Sequence, residues 1–437
     1  MNTSRSKNVI TLEKAPNPEI RRYLENHYDD ILTDLECLTN IDSPTGHLAG
    51  VIAIQKWFEK QFRLLGAAIE TRESKNGPHL IARLKGQGKA KTLLIAHVDT
   101  VLSTNAIVRD IKEWEALPYR EGDAFAFRYV AAKKHAHGPG VGDCKASALL
   151  LLWLARACFA NEYKPFGELL IWLDSEEEVM GEEGGGILDE LGKKADHTVV
   201  CDTGRPNWGI VTRRKAMQNF SVTVRGISGH AGNGPHCAAS AIDEICDFIA
   251  RVKRMASKTP YPLEYFSRER FQQRGEIDCG QHIPEISINV PMIGTTNTKF
   301  NVIPDYAEAL LHVRAFEPDD IKRLYKRLAE FAREPLLSEC KITVAEASGM
   351  SPPLKSDDPG SRRLHDLYVA VANDEYAAVV TDWRGGGLTR ANGRQNILDC
   401  AGVDTDPAYE HSTREYVDLN SFVPRAVCLS RLLAEIA

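Results

Sequence analysis

Apolar residues recur along this chain in two rhythms, and the change of rhythm near residue 210 divides it. Up to that point, stretches of helical spacing alternate with short continuous apolar runs. Residues 17–40, Leu48–Leu65 and Lys145–Ala160 have the length and periodicity of helices. Between them lie strand-like segments: Ala68–Glu70, Leu80–Leu84, Lys91–Ala96 (KTLLIA), Glu168–Leu173 (ELLIWL) and Thr198–Cys201 (TVVC). The last three are almost wholly apolar, the pattern of strands covered on both faces. Strands alternating with helices predict an α/β catalytic domain, a mixed sheet with flanking helices.

Beyond residue 210 the period falls to two. Asn219–Arg225 (NFSVTVR), Glu285–Val290 and Ala307–Arg314 alternate as half-buried strands do, and Ala238–Met255 and Pro318–Arg333 read as helices. That β-α-β-β-α-β order predicts a ferredoxin-like α+β unit. After about residue 347 helix and strand alternate again. The expected organisation is a catalytic domain in two pieces, 1–211 and 348–437, with 212–347 inserted. A chain of 437 residues is in any case too long for a single core.

Composition narrows the classes. The chain is 43% hydrophobic and 26% charged, and its net charge is −6. It therefore carries no basic excess that would draw it to nucleic acid or an anionic membrane. Met1–Pro16 is polar and lacks the apolar stretch of a secretory signal. The longest apolar run, Ala146–Ala160, is interrupted by Arg156 and too short to span a bilayer. The expectation is a cytoplasmic protein with reduced cysteines. None of its ten cysteines forms a C-x-x-C pair, which argues against a structural zinc knuckle. They read as core filler, except Cys144, which sits inside a candidate site.

The chemistry-bearing residues fall where strands end or helices begin. His97-Val98-Asp99 follows KTLLIA, and ligands of open α/β sheets bind beyond the carboxyl ends of strands. Alone, a His-x-Asp equally fits a surface turn. Gly138–Lys145 (GPGVGDCK) has glycines that let backbone approach a ligand, and Asp143 near a helix start, where an ordinary N-cap is the plain alternative. Asp174–Glu178 (DSEEE) gathers carboxylates at the end of a buried strand, a costly arrangement unless a cation neutralises them. Its plain alternative is an acidic, solvated helix start. Asp202 lies just past TVVC, and His411 lies in the late loop Ala408–Thr413. Together these supply three carboxylates and two imidazoles, a mixed set that suits zinc, with manganese or cobalt as substitutes.

In order and spacing these motifs resemble the aminoacylase/carboxypeptidase metallopeptidases. That family includes glutamate carboxypeptidases, succinyl-diaminopimelate desuccinylase and acetylornithine deacetylase. The likeness runs from Leu38–Gly46 (LTNIDSPTG) through TLLIAHVDTV, GPGVGDCK, the acidic cluster and SGHAG to EHSTREYVDL. It implies two divalent ions, with occupancy of one or both positions left open. His97 and Asp202 would hold one ion, His411 and Glu178 the other, and Asp143 would bridge. Asp99 would orient His97, and Glu177 would be the general base. A one-residue shift of register would give Glu176 and Glu177 those last two roles instead. His230 resembles the inserted-domain histidine that stabilises the oxyanion in a partner subunit, so a homodimer or higher homo-oligomer is implied. Asn301, Arg314 and the loop Gly385-Gly386-Gly387 resemble contacts to a substrate carboxylate.

The departures concern substrate. Arg390 stands where relatives have Asp, and is read here among the substrate contacts. No arginine near Ser348–Pro353 matches the glutamate carboxypeptidases' side-chain clamp, and His135 and His137 (KKHAH) sit beside the metal loop, where a solvated turn explains them equally. The expected activity is metal-dependent hydrolysis of an amide-type C–N bond in a small carboxylate-bearing substrate, an N-acyl amino acid or dipeptide. The alternatives are an aminohydrolase acting on a non-peptide C–N bond of a small, conceivably aromatic, acid, and a non-catalytic binding protein that keeps the fold.

Overall fold

The computed structural model describes residues 12–109, 117–258 and 286–437. Residues 1–11, Cys279 and Glu285 lie outside them. The chain divides into two compact units. The first comprises Met1–Thr212, Ser356–Trp383 and Thr389–Ala437, and the second comprises Arg213–Lys355 and Arg384–Leu388.

The first unit is built on a six-stranded mixed sheet. Across it the order is Ala68–Arg72, His79–Lys85, Glu168–Asp174, Lys91–His97, His197–Val200 and Ile397–Asp399. Glu168–Asp174, Lys91–His97, His197–Val200 and Ile397–Asp399 run parallel, and the two strands on the other side are antiparallel. Helix Ala146–Ala160 is apolar on every side and nearly all of it is buried, because it packs against the sheet and against helices Tyr28–Thr39, Leu48–Leu64 and Phe422–Glu435 at once. Its one charge, Arg156, pairs with Asp34 at 2.9 Å. The helix expected over 17–40 is two helices, Pro18–Asn26 and Tyr28–Thr39, interrupted at His27, whose φ of −109° leaves the helical range.

The segment KKHAH is not a solvated turn throughout. His135–His137 is a strand held between Arg128–Val130 and Tyr416–Asp418. His137 is buried, and the His135 ring stacks on Tyr416 with centroids 4.5 Å apart. Among the described residues no helix is long and apolar enough to cross a membrane.

The second unit is the expected β-α-β-β-α-β fold. Ala216–Arg225 lies in the middle of a four-stranded antiparallel sheet, between Tyr306–Ala315 and Lys341–Glu346, with Ile286–Gly294 on the far side of Tyr306–Ala315. Both central strands alternate strictly between buried and half-exposed positions. Their inner side chains, Phe220, Val222, Leu311 and Val313 among them, meet Phe248 and Val252 of helix Ala241–Lys258 and Ile321, Leu324 and Leu328 of helix Pro318–Phe331.

In the first unit one fully buried cation ties the last helix to the loops that follow the parallel strands. The Arg425 guanidinium pairs with Asp404, donates to the Tyr368 hydroxyl at 2.7 Å, and donates to the Arg205 and Gly209 carbonyls at 3.1 and 3.2 Å. Arg425→Met would remove the guanidinium from Asp404 and from those acceptors, and is expected to cost about 3–5 kcal/mol. Urea unfolding followed by tryptophan fluorescence would measure it, and an unchanged midpoint would refute this account.

Candidate metal centre

Three neighbouring parallel strands carry the site at their carboxyl ends. Lys91–His97 terminates in His97, which sits opposite Asp174 at the end of Glu168–Asp174. His197–Val200 runs on through Cys201 to Asp202. Two further segments close over this edge: the loop Gly138–Lys145, which leads into helix Ala146–Ala160, and the loop bearing His411. At Gly140 the backbone takes φ +67°, and a Cβ there would stand 2.1 Å from the Thr100 side chain, so only glycine fits.

The side chains converge on Asp143. One of its carboxylate oxygens lies 2.8 Å from His97 Nε2 and the other 3.1 Å from His411 Nε2. Asp202 lies 3.6 Å from His97 Nε2, and Glu178 3.1 Å from His411 Nε2. Two donor groups result, His97/Asp143/Asp202 with Cys144, and Asp143/Glu178/His411, each with its ligand atoms within 4.8 Å of one another. Asp143 belongs to both. Within the acidic run, Glu178 is the residue that meets His411. Glu176 is turned the other way, accepting from the Gly184 amide at 2.7 Å and the Asn76 side chain at 3.0 Å.

The electrostatics fit a cation. Asp143, Glu177, Glu178 and Asp202 are buried or nearly so, with only two imidazoles among them. Burial, with Asp143 alongside, pushes Glu178 up to about 7. Burial also drives Glu177 well above the usual carboxylate range, reinforced by Asp202, Glu178 and Asp143 and opposed by His97. Hydrogen bonds donated to Asp143 and Glu178 raise His411 to about 11. Glu177 Oε1 and Glu178 Oε1 are buried with no hydrogen-bond partner. Carboxylates held this way are short of positive charge, which a divalent ion supplies. Cys144 lies within reach, but burial pushes its thiol up to about 12. Its Sγ accepts from the His97 amide at 3.1 Å and donates to the His97 carbonyl at 3.3 Å. A neutral thiol engaged on both sides ties the loop to the strand and makes a poor ligand.

Residues 212–340 match the M20 peptidase dimerisation domain. Carboxypeptidase G2 of Pseudomonas sp. (strain RS-16) is 22% identical over 416 residues, 93% of this chain and 89% of its own length. Succinyl-diaminopimelate desuccinylase of Paracoccus denitrificans (strain Pd 1222) is 22% identical over 305 residues, 68% of this chain and 70% of its own. The crystal structure of an M20 family metallo-carboxypeptidase from Sulfolobus solfataricus shares the fold, with a TM-score of 0.66 at 14% identity over 93% of this chain and 99% of that one. Over nearly its whole length the chain is similar to M20 metallopeptidases, and this likeness supports a metallohydrolase acting on C–N bonds.

The candidate site rests on carboxylates that face away from the two donor groups and hold backbone. Asp99 does more than orient a ring. Its carboxylate is 3.4 Å from His97 Nδ1, whose closer partner, at 3.0 Å, is the Asp99 carbonyl. The same carboxylate accepts from the Glu177 and Glu178 amides at 3.1 and 3.2 Å and from the Thr45 hydroxyl at 2.8 Å. Glu415, which sequence reasoning passed over, accepts from the Gly140, Gly142 and Asp143 amides at 3.3, 2.9 and 3.0 Å. Its only signal in the sequence is its place within EHSTREYVDL, four residues after His411. Arg390, read among the substrate contacts, instead has its side chain buried, paired with Asp174 at 2.6 Å beneath the acidic loop.

The other expected substrate contacts belong to the second unit. Arg314 donates to the Gly386 carbonyl at 2.9 Å, and a Cβ at Gly387 would lie 3.8 and 3.9 Å from guanidinium nitrogens of Arg214 and Arg314. The Asn301 carbonyl accepts from the Ala231 amide at 3.0 Å. His230 Nδ1 accepts from the Gly232 and Asn233 amides, both at 3.1 Å, which leaves Nε2 carrying the proton in the neutral ring.

Removing Glu415 would strip three loop amides of their acceptor. Glu415→Ala is expected to destabilise the protein by roughly 3–5 kcal/mol, whereas Glu415→Gln keeps one acceptor oxygen and costs less. Chemical denaturation of both variants checks this, and equal costs would refute it.

Proposed function

We propose that this M20 hydrolase holds two zinc ions and cleaves the amide bond of a small carboxylate-bearing substrate, an N-acyl amino acid or dipeptide. The observation that carries the reading is the shared Asp143, one oxygen with His97 and the other with His411. Two imidazoles among carboxylates form a nitrogen–oxygen set suited to zinc. Zinc bound there supplies Lewis acidity, polarising the scissile carbonyl and making a water acidic near neutral pH.

The chain's own residues do the rest. Glu177, buried and with Oε1 unpartnered, takes the proton of the attacking water and delivers it to the departing nitrogen. Its raised proton affinity suits that shuttle. His230 offers Nε2–H to the developing oxyanion in a homodimer, and its ring is locked in the required tautomer by two amides. Arg314 and the Gly386-Gly387 loop, with Asn301, receive the substrate carboxylate. The aminohydrolase alternative drew part of its support from Arg390 as a substrate contact. With that guanidinium committed to Asp174, the peptide-type reading is the stronger.

Glu177→Ala is expected to lower kcat by about 10²–10⁴-fold while metal content stays intact, and near wild-type turnover would refute the base assignment. The substrate class is tested with a panel of N-acyl amino acids, dipeptides and amino-substituted aromatic acids; turnover confined to the last group would establish the aminohydrolase instead. Metal analysis separates the two donor groups. His411→Ala is expected to lose about half the bound zinc and Asp143→Ala nearly all of it. Equal retention by both variants would overturn the shared-carboxylate reading.

A further inference from the structure

We propose that Arg390 is a positioning residue, a clamp that fixes the backbone of the acidic loop and thereby aims Glu177 and Glu178; this rests on the roles given to those two residues above. The Arg390 side chain reaches three acceptors at once. Nε donates to Asp174 Oδ2 at 2.6 Å, Nη1 to the Gly181 carbonyl at 3.1 Å and Nη2 to the Glu176 carbonyl at 3.3 Å. The residue is 4% exposed, and its guanidinium lies 5.8 Å from the Trp172 ring centroid.

The acceptors explain the consequence. Glu176 and Gly181 are the two ends of a tight turn in which the Gly181 amide bonds to the Glu176 carbonyl at 3.0 Å and the Met180 amide to the Glu177 carbonyl at 2.7 Å. Arg390 grips both ends of that turn. Asp174, its ion-pair partner, also accepts from the Glu176 amide at 3.0 Å and lies 3.1 Å from His79 Nδ1. On the opposite side the Asp99 carboxylate receives the Glu177 and Glu178 amides. The loop is therefore held between two anchors, Asp99 above and Arg390 with Asp174 below. Among the described residues nothing comparable holds the Glu177 carboxylate, whose Oε1 is buried without a partner. Its position is set by the backbone that carries it.

No other side chain could make this arrangement. A guanidinium presents several N–H groups in a fixed fork, whereas a lysine ammonium is a single point. The packing is also closed to adjustment. A Cβ at Gly184 would stand 2.4 Å from Arg390 Nη2, and one at Gly181 would stand 2.0 Å from the Glu176 carboxyl. An aspartate at this position would face Asp174 with a second negative charge.

The test compares Arg390→Lys, which keeps the charge opposite Asp174 and gives up the fork, with Arg390→Met. Hydrogen–deuterium exchange of peptides covering 174–184 and 91–97 is followed in the full-length, zinc-loaded protein, alongside kcat, KM and zinc content. The expected result for Arg390→Lys is about 10-fold faster exchange in 174–184 with 91–97 unchanged, and kcat about 10–100-fold lower with KM within about 3-fold, since a displacement near 1 Å costs a catalytic group about that much. Wild-type exchange and kcat in both variants would overturn the proposal. So would exchange that rises equally in both peptides, the mark of a merely structural role. Glu177→Gln is assayed in parallel. Full turnover by that variant would overturn the base assignment, while the exchange measurement still decides the clamp.

Discussion

Asp143 is the carboxylate on which the site turns. Each of its oxygens faces a different imidazole, and burial works to raise its proton affinity while hydrogen bonds from His411 and His97 overturn that and hold it well below the usual range. An anion in this position imposes a constraint on everything around it. Glu178 and Asp202 are drawn to the same imidazoles, and Glu177 packs beside them, so four carboxylates occupy space that water would normally fill. Such a concentration is tolerable only with compensating positive charge. A divalent cation held by these donor groups would meet that requirement.

The same residue type is used in two distinct ways. Asp143, Asp202 and Glu178 turn toward the donor groups, whereas Asp99, Glu415, Asp174 and Glu176 turn away and receive backbone amides. Glu415 holds the loop on which Asp143 rides, and Asp99 and Asp174 hold the loop on which Glu177 and Glu178 ride. These outer carboxylates accept charge-assisted hydrogen bonds, which are stronger than neutral ones and directional. Burial and the nearby Asp143 push Glu415 up to about 8, so its three amide donors oppose a large local penalty. Precision at the centre thus depends on anionic groups placed one layer out, the arrangement that fixes ligand geometry in metal sites generally.

What was legible in the sequence follows from this division. His97, Glu178 and Asp202 could be read because they sit at or just past the ends of strands whose apolar runs announce them, whereas Asp143, near a helix start, and His411, in a late loop, drew their roles from the family resemblance. The order of elements in the inserted unit could be read for the same reason, since strict alternation in Ala216–Arg225 and Tyr306–Ala315 leaves only one face to bury. The outer layer was not legible. Glu415 and Asp174 look like any other acid in a loop or at a strand end, and their work is defined by amides that lie 272 to 275 residues away for Glu415 and two residues along the chain for Asp174, contacts without periodicity. The break at His27 was missed because the apolar spacing continues across it while the backbone does not.

Arg390 shows how such a reading goes astray and what corrects it. Its departure from the pattern of the family it resembles placed it among the expected substrate contacts, since a charge reversal next to a glycine loop points to a changed ligand. The chain leaves the second unit at Leu388, and Arg390 is the second residue of the segment that returns to the first. There it meets an anion of the protein itself, Asp174, together with two carbonyls of the acidic loop. A buried arginine that spends three of its five N–H groups on internal acceptors is committed to the protein's own loop. Arg390 therefore supports the acidic loop, while in the second unit the Arg314 guanidinium and the Gly386-Gly387 loop lie together.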